Sequence, residues 1–391
     1  MIIDYNNNRI MGVKGFSQII NTYAEACVEI TQFKDYRGSI QSIDATLAIY
    51  RFCLAILNTE NFRTNEIITG HLFACFFKTC SMLRYAIMPI WVFDGKPPNI
   101  KFDTLNERRK RKHNAVEKLT STPELNDTEK NRLEKKAFTV TFEQIDEVKT
   151  LLKLLGIPFI EAPGEAEAQC AAFDIANISD GVATEDWDVI FFGCKKMLKS
   201  FSNKNNVTEI NTKKLLNALG MSKEQLIDFA SILGNDYCHG INGIKPLDAY
   251  HKFKEVNCNI NSFLHKLKNE NKIKLKYRIP DNFLEQLNEA RRYYLHAPVT
   301  NPHHITTEWR EPNYEGLYNY LVNIKKLKNS LILPKINELH IMYSYYITNK
   351  KKLVTLSHIK RELNAQRLIV QNKLDHRRYT IVSFPYLPQV V

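Results

Sequence analysis

The chain has 391 residues, with 54 Lys and Arg against 42 Asp and Glu, a formal charge of +12 and 44% hydrophobic content. That is enough apolar material for one large core or two modest ones. No run of about twenty apolar residues is present to span a bilayer, and Met1 to Arg9 is too polar for a secretory signal. The positive charge suits a polyanionic partner without specifying one. The eight cysteines, with no signal peptide, no close C-x-x-C pair and no strong zinc set, read as reduced thiols of an intracellular protein.

A bend at Gly12 and Gly15 introduces a helix from Val13 to Ala24. Ser39 to Ile43 is a short strand with Asp44 at its end. Residues 46–57 hold too many consecutive apolar positions for a solvated face and predict a buried helix. His71 to Tyr85 is a further helix, with Cys75 and Cys80 on its apolar face. Met88 to Phe93 is an apolar strand stopped by Asp94-Gly95-Lys96-Pro97-Pro98.

Composition changes over 103–136. Glu107-Arg108-Arg109-Lys110-Arg111-Lys112-His113 and Glu129-Lys130-Asn131-Arg132-Leu133-Glu134-Lys135-Lys136 leave few apolar positions, and Pro123 divides the stretch. Solvated helices or an arch standing off the core are expected, a plain charged linker being the alternative. Phe142 to Leu155 has helical spacing and ends at Gly156. A strand at Ile157–Ile160, a turn at Glu161–Gly164, a helix from Glu165 to Ala176 and a strand at Gly181–Thr184 follow, with another short element at Val189–Phe192. This alternation argues for an α/β sheet with helices on both faces. Beyond Thr212 the chain is mostly helical, with an apolar helix over 226–233, a glycine-bearing loop over 234–243 and a helix over 281–295. From about 300 the pattern fades, and His303-His304 read as exposed loop residues.

The acids are informative by position. Open α/β sheets bind ligands outside the carboxyl ends of their strands, and Asp44, Asp94 and Asp186 each follow an apolar strand-like run. Glu165 opens a helix, where negative charge meets the positive end of the dipole, and Glu167 shares that first turn. Asp188 is two residues past Asp186, and Asp236 follows the helix over 226–233 through Gly234, which permits close backbone approach. Singly, each reads as a cap or a surface acid. Together, crowded carboxylates repel each other and require a counter-cation. Oxygen donors in this number select Mg²⁺ or Mn²⁺, and two such ions about 3.5–4 Å apart can hold a phosphodiester and activate water.

Met11-Gly12-Val13-Lys14-Gly15-Phe16, Ile43-Asp44-Ala45-Thr46-Leu47-Ala48-Ile49-Tyr50, Val92-Phe93-Asp94-Gly95-Lys96-Pro97-Pro98, Glu161-Ala162-Pro163-Gly164-Glu165-Ala166-Glu167-Ala168, Ala183-Thr184-Glu185-Asp186-Trp187-Asp188 and Leu233-Gly234-Asn235-Asp236-Tyr237 occur in this order. In this the chain, over roughly 11–300, resembles the flap endonuclease/XPG-type family of structure-specific 5′ nucleases. The resemblance implies a PIN-like α/β fold: a mostly parallel sheet flanked by helices, a helical arch and a C-terminal helix–turn–helix DNA-binding region. The implied division is 1–103 and 141–300 for the nuclease body, 104–140 for the arch and 301–391 for a mostly helical C-terminal region. It implies that Asp44, Asp94, Glu165 and Glu167 serve mainly one Mg²⁺ and Asp186, Asp188 and Asp236 a second, with Mn²⁺ as a substitute and Asp186 central to catalysis. Lys101 and Arg108 would contact the scissile phosphate, and Tyr50 would stack on the adjacent base.

Duplex would be held by Gly240-Ile241-Asn242-Gly243-Ile244-Lys245-Pro246, with Gly243 and Lys245 at the contact and a K⁺ ion in the loop. Here the chain departs from the family, with Lys245 where a second glycine is usual and Leu247 and Asp248 where two basic residues are usual. Asp248 is expected to repel DNA. Residues 1–10 extend beyond the family's amino terminus, and the C terminus carries no sliding-clamp motif. Lys325-Lys326, Lys328 and Lys350-Lys351-Lys352 fit either a duplex contact or a solvated surface. The expected activity is a Mg²⁺-dependent 5′ flap endonuclease with 5′–3′ exonuclease activity, acting as a monomer on flap or single-strand/double-strand junction DNA in replication, repair or recombination, at a nuclear or viral replication site. Two alternatives stand beside it: a nuclease acting mainly on linear duplex ends or RNA, and a catalytically silent nucleic-acid-binding scaffold.

Overall fold

The computed structural model describes residues 12–56, 63–64, 67–122, 125–202, 206–273 and 276–348. Expectations that fall on residues 1–11 and 349–391, including the amino-terminal extension and Lys350-Lys351-Lys352, lie outside them.

Helix α1 (Phe16–Tyr23) leads to strand β1 (Val28–Thr31), then to β2 (Ile40–Asp44), whose five residues are all buried. Helix α2 (Ala45–Ile56), a short hairpin of β3 (Arg63–Thr64) and β4 (Ile67–Ile68), and α3 (Gly70–Arg84) return the chain to β5 (Met88–Phe93). Helices α4 (Phe102–Ser121) and α5 (Asp127–Ala137) pack on one another. Helix α6 (Phe142–Leu154) then precedes β6 (Phe159–Glu161), α7 (Ala166–Ile175), β7 (Val182–Ala183), α8 (Asp188–Phe192), β8 (Lys196–Lys199) and β9 (Val207–Asn211). Helices α9 (Thr212–Leu219), α10 (Lys223–Leu233), α11 (Pro246–Glu255), α12 (Ile260–Ile273) and α13 (Phe283–His296) complete the body. Helix α14 (Tyr314–Tyr318), a π-helical turn at Asn319–Ile324 and α15 (Asn329–Thr348) follow.

The main sheet runs β1-β9-β8-β7-β2-β5-β6. Strands β8, β7, β2, β5 and β6 are parallel, and β9 and β1 add an antiparallel edge. The central strands are buried on both faces, as parallel strands covered by helices must be. Ile40, Ile43, Ile90, Trp91 and Val92 lie at the centre of the core, and full burial of such side chains stabilises the fold by roughly 1.5–3 kcal/mol each. All eight cysteines are buried and unbridged.

The β3–β4 hairpin and three strands of the main sheet were not expected. β1, β8 and β9 are short and carry Glu29, Lys196, Lys199 and Glu209, so no continuous apolar run marks them. The strand expected at Ile157–Ile160 runs instead over Phe159–Glu161. Gly156 turns the chain at φ +66°, and Pro158 has no amide to join the ladder, although its carbonyl accepts from Trp91 N. The element at Val189–Phe192 is a helix. The charged stretch 103–136 forms two helices rather than a linker, with Ala115 and Leu133 as their buried residues.

The described residues past 300 pack on the preceding body. Trp309 Nε1 donates to Pro89 O at 3.0 Å, and Arg310 N donates to Gly156 O at 2.8 Å. Lys325 pairs with Glu147 of α6 at 2.5 Å instead of standing free for duplex. Among the described residues no helix is long and apolar enough to cross a membrane.

A Cβ at Gly156 would stand 2.1 Å from Arg310 O, on a backbone at positive φ. Gly156→Ala is therefore expected to destabilise the protein by about 1–3 kcal/mol, read as a lower urea midpoint. An unchanged midpoint would contradict the packing of residues 309–313 against the end of α6.

Candidate active site

Asp44 is the last residue of β2, and Asp94 follows β5. Glu165 caps α7 just beyond β6, and Glu167 lies in the first turn of that helix. Asp186 follows β7, Asp188 opens α8, and Asp236 follows α10. Six of the seven acids thus leave the carboxyl ends of adjacent parallel strands, the ligand-binding end of such sheets.

The connecting loops are fastened to each other. Gly95 N donates to Gly164 O at 2.7 Å, an approach that leaves no room for a side chain, since a Cβ on Gly95 would lie 1.9 Å from Ala162 O. Asp94 Oδ1 accepts from Ala166 N at 2.8 Å, which ties it to the first turn of α7. Asp44 accepts from Leu47 N at 3.1 Å and from Thr184 Oγ1 at 3.1 Å. Thr184 Oγ1 accepts in turn from Asp186 N at 3.2 Å, and Asp186 Oδ1 from Asp188 N at 3.1 Å. Gly12 lies against this pair: a Cβ there would come within 2.5 Å of Asp186 Oδ1 and 3.2 Å of Asp188 Oδ1.

Two basic residues from the base of α4 partly answer this charge. Lys101 Nζ donates to Glu165 Oε1 and lies 3.0 Å from Asp236 Oδ2. Arg108 donates to Asp236 Oδ1 at 2.6 Å. Tyr237 donates its hydroxyl to Glu165 Oε2, and Thr104 Oγ1 donates to Asp236 O at 2.8 Å. No pattern in the sequence marks a role for Tyr237, Thr184 or Thr104. For Tyr237, its place directly after Asp236 was the one available signal.

Burial, and then the charge of Asp94, push Asp44 up to about 8. Burial raises Glu165 to about 7 even with Lys101 beside it. Glu167 and Asp188 are driven well above the carboxylate range by burial and by neighbouring acids, and Asp186 is raised by burial and by Asp236. Asp236 moves the other way: burial opposes its ionisation, but Lys101 and Arg108 outweigh it and hold its carboxyl low.

Among the described residues no three His, Cys, Asp or Glu side chains stand in a geometry that would hold a metal ion. Lys101 and Arg108 instead occupy the oxygens of Glu165 and Asp236. The donor set nevertheless suits a hard divalent cation. It is all oxygen, it is short of positive charge, and Asp188 Oδ1 is buried with no hydrogen-bond partner.

The remaining expected residues lie around this cluster. Tyr50 is half-buried in α2, with its ring 5.8 Å from that of Phe138. Gly243 turns at φ +89° against Lys276 O, and Lys245 is exposed at the start of α11. Asn242 and Arg278 exchange backbone hydrogen bonds at 3.1 and 2.9 Å. The repulsive role expected of Asp248 is not supported by its surroundings. Tyr277 Oη donates to it at 3.2 Å, and Lys276 and Lys252 lie 3.5 and 3.9 Å away, so its charge is answered inside the fold.

Residues 11–115 match the XPG N-terminal domain and residues 156–236 the XPG I-region. The chain is 36% identical to flap endonuclease 1 of Brugia malayi, over 80% of this chain and 82% of that protein. It is 34% identical to flap endonuclease 1 of Nematostella vectensis, over 84% and 87%. Among solved structures it resembles the catalytic core of Rad2 in complex with DNA substrate, at TM-score 0.63 and 25% identity, covering 83% of this chain and all of that one (100%). It shares its fold with flap endonuclease-1 from Methanococcus jannaschii, at TM-score 0.62 and 24% identity, covering 84% and 99%.

The raised carboxyls favour the folded state when protonated. Their contribution is fully present below an unfolded value near 4 and is lost as pH rises through the folded values, about 7 for Glu165 and about 8 for Asp44. Asp236, held low, works in the opposite sense as pH falls. In chelator, the melting temperature is expected to fall between about pH 5 and about pH 8, and added Ca²⁺ to restore it most at the upper end. A melting temperature that is flat with pH and unmoved by Ca²⁺ would contradict this.

Proposed function

The chain belongs to the XPG/FEN flap-endonuclease family of structure-specific 5′ nucleases, and from that premise we propose that it is a Mg²⁺-dependent 5′ flap endonuclease, with 5′–3′ exonuclease activity by the same chemistry. The observation that carries this reading is the gathering of acids from five separate segments at one sheet end, beside two fixed cations. Its relatives support DNA over RNA as the substrate: they include flap endonucleases, and the Rad2 core was solved with a DNA substrate.

Asp44, Asp94, Glu165 and Glu167 would hold one divalent cation, and Asp186, Asp188 and Asp236 a second. Cations bound there supply charge against the phosphodiester and lower the pKa of the attacking water. The chain's own part is orientation and charge balance. Hydrogen bonds from Leu47, Thr184 and Ala166 fix Asp44 and Asp94. Lys101 and Arg108, which join the acids to the base of α4, would offset the negative charge of an arriving phosphate. Tyr50 would stack on the base beside the cut.

Helices α4 and α5 would form the arch that admits the single strand. Arg108, Arg109, Lys110, Arg111 and Lys135 are exposed along them. Duplex would rest on the 240–246 loop through Lys245. The loop is braced within the chain by Asn242 with Arg278 and by Asp248 with Lys276 and Tyr277, and we assign the duplex grip to Lys245 rather than to a K⁺ ion. Hydrolysis would leave a 5′ phosphate and a 3′ hydroxyl. The acids are all retained, which speaks against the silent-scaffold alternative.

With Mg²⁺ and a 5′-labelled flap, Asp186→Ala is expected to lower cleavage by more than about a thousandfold, and Lys101→Ala by about a hundred- to a thousandfold. Flap, nick, gap, blunt-duplex and RNA substrates compared side by side should show the flap cut fastest. Full activity in Asp186→Ala would remove the site assignment, and faster cleavage of RNA or blunt ends would move the substrate.

A further inference from the structure

Among the described residues, Asp188 Oδ1 and the Tyr294 hydroxyl are both buried without a hydrogen-bond partner, as is the hydroxyl of the neighbouring Tyr293. Tyr294 lies on α13 and is 2% exposed. Its ring centroid is 5.0 Å from that of Phe192 and 5.5 Å from that of Phe191, both on α8, the helix that Asp188 opens. On its other side it stands 5.0 Å from Tyr237, the residue after Asp236. The phenol is therefore wedged between the segments that carry Asp188 and Asp236, against the residues three and four places after Asp188 on α8.

A phenylalanine would make the same ring contacts and leave no hydroxyl to desolvate. A buried donor and a buried acceptor, each unpaired, are costly separately and satisfy each other when joined. A phenol ordinarily titrates at about 10, so at neutral pH the Tyr294 hydroxyl keeps its proton and remains a donor. Tyr237, packed edge to face beside it, already makes the equivalent bond, from its hydroxyl to Glu165 Oε2.

We propose that Tyr294 is a positioning residue for Asp188: its hydroxyl, directly or through one buried water, donates to Asp188 Oδ1 and sets the direction in which that carboxylate faces a divalent cation. This rests on the reading of the acid cluster as a cation site. Partners of ligating carboxylates commonly tune metal affinity in this way.

The test is Tyr294→Phe in the full chain, with Ca²⁺ alone titrated calorimetrically and flap cleavage measured separately in Mg²⁺. The metal-free melting temperature should be retained, Ca²⁺ affinity should fall about tenfold or more, and kcat should fall while KM for the flap holds. Unchanged Ca²⁺ affinity in Tyr294→Phe, with Asp188→Asn clearly weakened, would overturn the role of Tyr294 and leave the cation site standing. So would a lowered melting temperature with unchanged affinity, which would make the hydroxyl purely structural. If Asp188→Asn also binds Ca²⁺ as tightly as the wild type, the cation site itself falls and this inference with it.

Discussion

Like charges in a low-dielectric crevice repel one another strongly, and each must also give up its hydration. Asp44, Glu165, Glu167, Asp186 and Asp188 all carry that burden, as their raised pKa values record. Such a cluster persists only because its scaffold is more rigid than the repulsion is strong. Strands β2 and β5 are buried along nearly their whole length. The loops beyond them are joined through Gly95, and backbone amides and a threonine hydroxyl hold the carboxylates from behind. A crevice built in this way is short of positive charge, and under the proposed function it would draw in cations and whatever a cation can bring with it.

The same constraint explains where the basic residues fall. Lys101 and Arg108 come from the root of α4, and they meet the acids through Glu165 and Asp236. The helical pair α4–α5 is thereby joined electrostatically to the end of the sheet, so a strand passing beside these helices and the atoms reacting below would be sensed by the same two side chains. Behind the acids, the rings of Tyr237, Tyr294, Phe191 and Phe192 form an apolar floor that shields them from solvent.

The parts of this that could be read from sequence were those with strong local signals. Met88–Phe93 is a continuous apolar run with a sharp stop, so both the strand and the position of Asp94 were plain. The helices of the 103–136 segment were recognisable because a long, charged, apolar-poor stretch has few stable alternatives. The antiparallel edge was not legible, since strands of four or five residues interleaved with Lys and Glu lose the alternation that would mark them. The partners of Asp248 were not legible either, since Lys276 and Tyr277, which answer its charge, lie nearly thirty residues away and leave no local trace. Tyr294 was invisible for the same reason: an aromatic residue in an amphipathic helix reads as core, and only the folded chain brings it to Asp188.

The central claim is that these acids gather divalent cations around one phosphodiester. Anomalous scattering from crystals of the protein grown with Mn²⁺ and an uncleaved 5′ flap tests it most directly. The account predicts Mn²⁺ peaks between the Asp44–Asp94–Glu165–Glu167 and Asp186–Asp188–Asp236 carboxylates, with the flap phosphate touching the metal and Lys101 turned toward it. A flap bound elsewhere, or Mn²⁺ absent from those carboxylates with DNA in place, would contradict it.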